Sequence, residues 1–214
     1  RQFTMDLFNQ SDLVGSICKP QIQEFDLPDA DVTLFEDFFT KQESDRLFKN
    51  LTDKIIWQQD QIKFYGKKID LPRLTAWYGD NNKSYTYSGI AMIPHPWTED
   101  LLFIKNRIEK EAGVNFSSVL LNLYRKGKDS VNWHCDNEKE LGQNPVIGSV
   151  SFGETRTFQL RHLTRKDLKK VDIPLTTGSF LLMKGTTQHF WEHQIPKTSR
   201  DIKPRINLTF RVIE

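Results

Sequence analysis

Apolar and polar residues alternate in short runs over the second half of the chain, and these runs predict strands. Ser118 to Arg125 is the first. Ile147 to Phe152, Thr155 to Leu163, Lys170 to Leu175, Ser179 to Met183 and Arg205 to Ile213 follow, most of them bounded by Gly, Pro, Asn or a charged residue. The first half has a different period. Leu47, Phe48 and Leu51 follow Thr40-Lys41-Gln42-Glu43, which has the form of a capping box and predicts a helix from residue 41. Leu101, Ile104 and Ile108 share one helical face. Thr98 can cap that helix, Glu99 and Asp100 suit its positive end, and Gly113 can stop it. Helices early and many short strands late predict an α+β protein with a double-stranded β-helix (jelly-roll) core, its N-terminal helices packed on one sheet. Residues 1–31 are weakly patterned and read as an N-terminal extension, lying over the domain or partly loose. Residues 32–214 read as the domain, with no internal repeat.

Charge alone narrows the function little. Thirty Lys and Arg stand against 28 Asp and Glu, so a nucleic-acid partner requires its basic contacts to gather on one face. Lys63, Lys67, Lys68 and Arg73 form one candidate group. Arg161, Arg165, Lys166, Lys169 and Lys170 form another, which also reads as a charged loop between strands. No apolar run is long enough to span a membrane, and no signal peptide shows. Cys18 and Cys135 read as two free thiols. The chain opens on Arg1, which suggests that a native N-terminus is missing.

His134-Cys135-Asp136 brings in chemistry. Residues two apart on an extended segment point the same way, so His134 and Asp136 can grip one ion. A third ligand must come from elsewhere. His189 and His193 both lie downstream, and spacing alone does not choose between them; His95 and His162 read as surface or satisfied core residues. Two imidazoles and a carboxylate on one face of an octahedron leave three positions open, the arrangement of non-haem iron(II) oxygenases. In Arg205-Ile206-Asn207-Leu208-Thr209-Phe210-Arg211, alternation sets Arg205, Asn207, Thr209 and Arg211 on one face and the apolar residues on the other. Two guanidinium groups aimed inward require an anion. A dicarboxylic cosubstrate suits them, because Arg binds carboxylates as a fork. The plain alternative is a last strand with its polar face in water.

Together with Pro72-Arg73-Leu74-Thr75-Ala76-Trp77-Tyr78-Gly79-Asp80, Tyr85-Thr86-Tyr87-Ser88, Asn122-Leu123-Tyr124, Ser149 to Gly153 with Arg156, and Gly178 to Met183, these segments resemble the AlkB family. The likeness runs over residues 55–213 and is greatest to the third animal homologue. It implies an enzyme that uses iron(II), 2-oxoglutarate as cosubstrate and dioxygen. It assigns the metal to His134, Asp136 and His193, the histidine followed three residues later by Pro. Asn122, Tyr124, Arg205, Asn207, Thr209 and Arg211 would hold 2-oxoglutarate, with Arg205 on its far carboxylate. The implied reaction is oxidative demethylation of N1-methyladenine and N3-methylcytosine in DNA or RNA, releasing formaldehyde, succinate and carbon dioxide.

A Watson–Crick edge is hidden inside a duplex, so single-stranded DNA or RNA is the favoured partner. The resemblance places nucleotide-recognition hairpins at about residues 60–95. Tyr65, Trp77, Tyr85, Tyr87, Asn137 and Glu138 are its substrate contacts: Tyr87 stacks on the flipped base, Tyr85 flanks the entrance, and Tyr65 sits where related duplex enzymes carry an aromatic wedge. Asn137 departs from the pattern, since close relatives carry a second Asp there, so either the preference for a cationic base is weaker or Glu138 carries it alone. A monomer in the nucleus, and also the cytoplasm, completes the expectation. Three readings compete with it: a hydroxylase acting on a protein or small molecule, an inactive nucleic-acid-binding jelly roll, and a metal-binding barrel without turnover.

Overall fold

The computed structural model describes residues 20–81, 85–87 and 90–214; the side chains of Phe64, of 85–87 and of 90–92 also lie outside the description. In chain order the elements are β1 (Gln21–Phe25), β2 (Asp31–Glu36), α1 (Lys41–Lys54), β3 (Gln61–Phe64), β4 (Lys67–Asp70), β5 (Leu74–Gly79), β6 (Tyr85–Tyr87), β7 (Ile90–Met92) and α2 (Glu99–Ala112). After these come β8 (Ser118–Tyr124), β9 (Val131–His134), β10 (Ile147–Gly153), β11 (Arg156–His162), β12 (Val171–Leu175), β13 (Ser179–Lys184), α3 (Thr187–Phe190), β14 (Trp191–Ile195) and β15 (Arg205–Arg211).

The helices begin and end where side chains satisfy their free backbone groups. Thr40 Oγ1 accepts from Glu43 N at 3.2 Å while Glu43 Oε2 accepts from Thr40 N at 2.9 Å, a complete capping box. Thr98 caps α2, and Gly113 ends it in the left-handed region at φ 70°.

Two antiparallel sheets face each other. The larger has the order β1-β2-β13-β10-β15-β8-β5, and the smaller β12-β11-β14-β9. β3–β4 and β6–β7 are separate hairpins. Leu47 and Leu51 of α1, with Leu101, Ile104 and Ile108 of α2, bury themselves against Val119, Leu121, Val150, Phe152, Ile206, Leu208 and Phe210 of the large sheet. The opposite face of that sheet meets the small one through a second core that includes Phe158, Leu160, Leu181, Met183, Trp191 and Ile195. Strand alternation therefore gives β15 one side for the helices and one for the space between the sheets. The α+β jelly roll expected from the patterning is the fold observed.

Residues 21–25, expected within the extension, pair with β2 from Gln21↔Glu36 to Phe25↔Val32 and form the edge of the large sheet. Four of those five residues are exposed, so the strand is held by backbone bonds and carries almost no apolar signal. Residues 1–19, Cys18 among them, lie outside the described residues.

Leu47 is fully buried beneath the large sheet. Leu47→Ala should cost about 2–5 kcal/mol of stability, measured as a shift in the urea unfolding midpoint at unchanged slope. A shift equivalent to under about 1 kcal/mol would contradict this packing.

Candidate metal centre and adjoining pocket

β14 and β9 are neighbours in the small sheet, and His193 stands directly opposite His134 in their register. The two rings lie 4.3 Å apart. Asp136 follows two residues after His134, and one ligand atom from each of His134, Asp136 and His193 lies within 4.8 Å of the others. His134 Nδ1 is 2.8 Å from the Asn132 carbonyl, so its hydrogen is placed there and Nε2 is left as the free lone pair. Phe158 stacks on His193 with centroids 5.0 Å apart. His189 lies on α3 instead, exposed, with Nε2 against Gln143 O and Asn144 Oδ1. Geometry thus separates the two histidines that spacing could not.

Asp136 is buried, and its Oδ1 accepts a hydrogen bond from Arg211 Nη2. Burial by itself raises a carboxylate's pKa. Here the Arg211 guanidinium, with His193 and His134, outweighs it and holds Asp136 at about 2. Burial pushes His193 the other way, down to about 3. The carboxylate is ionised and the imidazole neutral, as a cation requires of its ligands. Behind them, the buried Gln188 accepts from Asp136 N at 2.9 Å and donates to Met183 Sδ at 3.6 Å.

A cavity of about 300 Å³ opens beside the three residues, between the sheets. Asn122, Tyr124, Arg205, Asn207, Thr209 and Arg211 all line it. Arg205 is 1% exposed. Its Nη2 donates to Ser151 Oγ at 2.9 Å, whereas Nε and Nη1 meet no acceptor in hydrogen-bonding geometry among the described residues. Burial lowers its pKa to about 10, against partial support from the Tyr124 hydroxyl. Asn207 is spent on the protein itself, donating to Ser149 Oγ and Val150 O and accepting from Thr209 Oγ1. Asn122 Oδ1 accepts from Arg73 Nε at 2.9 Å. Iron(II) and 2-oxoglutarate fit these residues: two imidazoles and a carboxylate suit the metal, and buried guanidinium hydrogens without acceptors suit a carboxylate.

Several residues stand elsewhere than expected. Arg73, read as part of a surface basic group, is buried, with Nη1 on Ser130 O at 3.1 Å, and it lines the cavity. Trp77, read as a substrate contact, is 4% exposed and belongs to the inter-sheet core, because β5 turns it inward between its two neighbouring layers. Arg211 is engaged by Asp136. Asn137 is exposed and does not line the cavity, whereas Glu138 does, with a buried Oε2 that has no partner among the described residues. Tyr65 is 91% exposed at the β3–β4 tip, where it and Gly66 hold φ of 47° and 77°. Such a two-residue turn normally places Asn or Gly at its first position. Tyr85 and Tyr87 lie on β6, paired with Met92 and Ile90, and their side chains are outside the described residues. Gln188 and Phe158 carried no signal in the sequence that pointed to the site, and Arg156 entered only as part of the family resemblance, without a role.

The family model for the 2OG-Fe(II) oxygenase superfamily matches residues 31–211. The alpha-ketoglutarate-dependent dioxygenase alkB homolog 3 of Homo sapiens is 43% identical over 190 residues, 85% of this chain and 66% of that protein. The DNA oxidative demethylase ALKBH2 of Mus musculus is 36% identical over 184 residues, 82% of this chain and 77% of that protein. The chain spans about two thirds of the length of the alkB homolog 3 proteins it matches. The solved structure of OsALKBH1 covers 90% of the chain at a TM-score of 0.62 and 16% identity, a likeness of fold.

The turn from Tyr124 to β9 is held by Asp129, whose carboxylate accepts from Arg125 N, Nε and Nη2. Burial raises its pKa, but these bonds prevail and lower it from the ordinary 3.8. A depressed folded value stabilises the protein above the unfolded value, and the contribution is lost as pH falls through the folded one. Asp129→Asn should therefore be less stable than wild type near neutral pH, with the gap in urea midpoints narrowing below pH 3.8. A gap independent of pH would contradict the assignment.

Proposed function

Since the chain belongs to the 2OG-Fe(II) oxygenase superfamily and, within it, to the AlkB homologues, we propose that it oxidatively demethylates nucleobases, N1-methyladenine and N3-methylcytosine, in DNA and RNA. Formaldehyde, succinate and carbon dioxide are the products. The observation that carries this reading is the pairing of the His134–Asp136–His193 cluster with the buried, partly unsatisfied Arg205 across one cavity.

Iron(II) with 2-oxoglutarate and dioxygen supplies the oxidising chemistry when bound. His134, Asp136 and His193 would hold the ion. Arg205 would take the far carboxylate of 2-oxoglutarate as a fork, with Tyr124 and Asn122 beside it. Arg211 keeps Asp136 ionised and fixed in orientation. Arg73, bonded to Asn122 Oδ1, turns the amide hydrogens of Asn122 toward other acceptors.

The methylated bases in question are cationic. Glu138 brings to the cavity a carboxylate oxygen without a partner among the described residues, which supports their preference over neutral bases. Access requires the base to leave its stack, which favours single strands. The exposed Tyr65 at a strained turn, with Lys63, Lys67 and Lys68 on the same hairpin, supports contact with bases and phosphates there. Monomeric action in the nucleus and cytoplasm belongs to the same reading and rests on the family.

Mass spectrometry of single- and double-stranded oligonucleotides bearing either base tests this. The wild-type protein with iron(II) and 2-oxoglutarate should remove one methyl group per lesion, faster on single strands, with succinate released. Asp136→Ala should abolish turnover. Arg205→Ala should raise the KM for 2-oxoglutarate by roughly 10- to 100-fold, since hydrogen bonds to a charged group contribute about 1.5–3 kcal/mol. Oligonucleotides left intact by the wild type, or full activity of Asp136→Ala, would overturn the proposal.

A further inference from the structure

A further buried cation stands behind the pocket. Arg156 opens β11 of the small sheet and is 4% exposed. Its Nη2 donates to the carbonyls of Asp129, 2.9 Å, and Pro196, 2.7 Å. Asp129 lies on the turn that leads from Tyr124 to His134, and Pro196 follows the strand that carries His193. One side chain thus ties together the two strands of the metal cluster and the end of β8. The guanidinium carbon of Arg156 lies 5.6 Å from the Tyr124 ring centroid, and that of Arg205, which comes from the large sheet, lies 5.2 Å from the same centroid. Among the described residues no carboxylate is within ion-pair distance of Arg156 or Arg205, and the buried Arg156 Nη1 has no hydrogen-bond partner. The nearby Asp129 carboxylate is taken by Arg125.

Two buried cations around one phenol are unfavourable unless a negative charge comes to them. Two carbonyls and the face of an aromatic ring offset only part of that cost. We propose that Arg156 is a positioning residue of the cosubstrate pocket: it fixes Tyr124 from behind and adds a second positive charge toward the far carboxylate, so that the pocket selects a keto diacid over a keto acid with an apolar end. This rests on the reading of the pocket as a 2-oxoglutarate site.

The test is titration calorimetry on the manganese(II)-loaded protein, with two ligands. One is 2-oxoglutarate. The other is 2-oxopentanoate, which has the same keto-acid head and a methyl group in place of the far carboxylate. Arg156→Met should weaken 2-oxoglutarate by roughly 10- to 100-fold, the scale of losing an outer supporting partner, and should change 2-oxopentanoate far less. Arg156→Lys keeps the charge and should keep the preference for the diacid, which preserves the test if the Met variant fails to fold. In turnover, KM for 2-oxoglutarate should rise while kcat is held. An equal loss for both ligands, an unchanged 2-oxoglutarate affinity, or a Lys variant that has lost the preference would overturn the inference. A wild-type protein that does not bind 2-oxoglutarate would overturn the reading of the pocket, and this inference with it.

Discussion

The ion pair between Arg211 and Asp136 is the constraint on which the site depends. Arg211 ends the last strand of the large sheet, and Asp136 follows the edge strand of the small one, so the pair joins the two sheets at the metal cluster. A buried carboxylate without a counter-charge takes up a proton and ceases to be a metal ligand. With Arg211 against one oxygen, Asp136 stays ionised, and its other oxygen lies 3.6 Å from His193 Nε2. The carboxylate is thereby oriented before any ion arrives, while Gln188 fixes the backbone that carries it.

The pocket exists because the polar face of β15 interrupts the inter-sheet core. Ile206, Leu208 and Phe210 complete the packing under the helices, and Arg205, Asn207, Thr209 and Arg211 line the cavity on the other side. The resulting division of labour is uneven. Asn207 is absorbed by Ser149 and Val150 and Arg211 is paired with Asp136, whereas Arg205 keeps two guanidinium nitrogens without an acceptor among the described residues. A buried guanidinium with unmet hydrogens beside a cavity is a directional site for an anion.

How much of this was legible in the sequence depended on the range of the information. Local rules carried far: Thr40, Thr98 and Gly113 bounded their helices, and the spacing of His134 and Asp136 announced a shared ligand direction. Long-range pairing was not legible. Spacing does not distinguish His193 from His189; the family resemblance picked His193, and the structural reason is that His193 falls opposite His134 in the register of β14 and β9. Polarity also says little about burial. Arg73 looked like a surface cation and is inside, because Asn122 and Ser130 provide acceptors. Trp77 looked like a substrate contact and is core. β1 escaped notice because an exposed edge strand needs backbone partners rather than an apolar face.

The most direct test of the convergence at the centre of this account is equilibrium binding of manganese(II) to the metal-free protein, wild type against His193→Ala and His189→Ala. One ion per chain is expected, bound more tightly when 2-oxoglutarate is present, lost on replacing His193 and kept on replacing His189. Binding that survives in His193→Ala, or that disappears in His189→Ala while the fold persists, would contradict it.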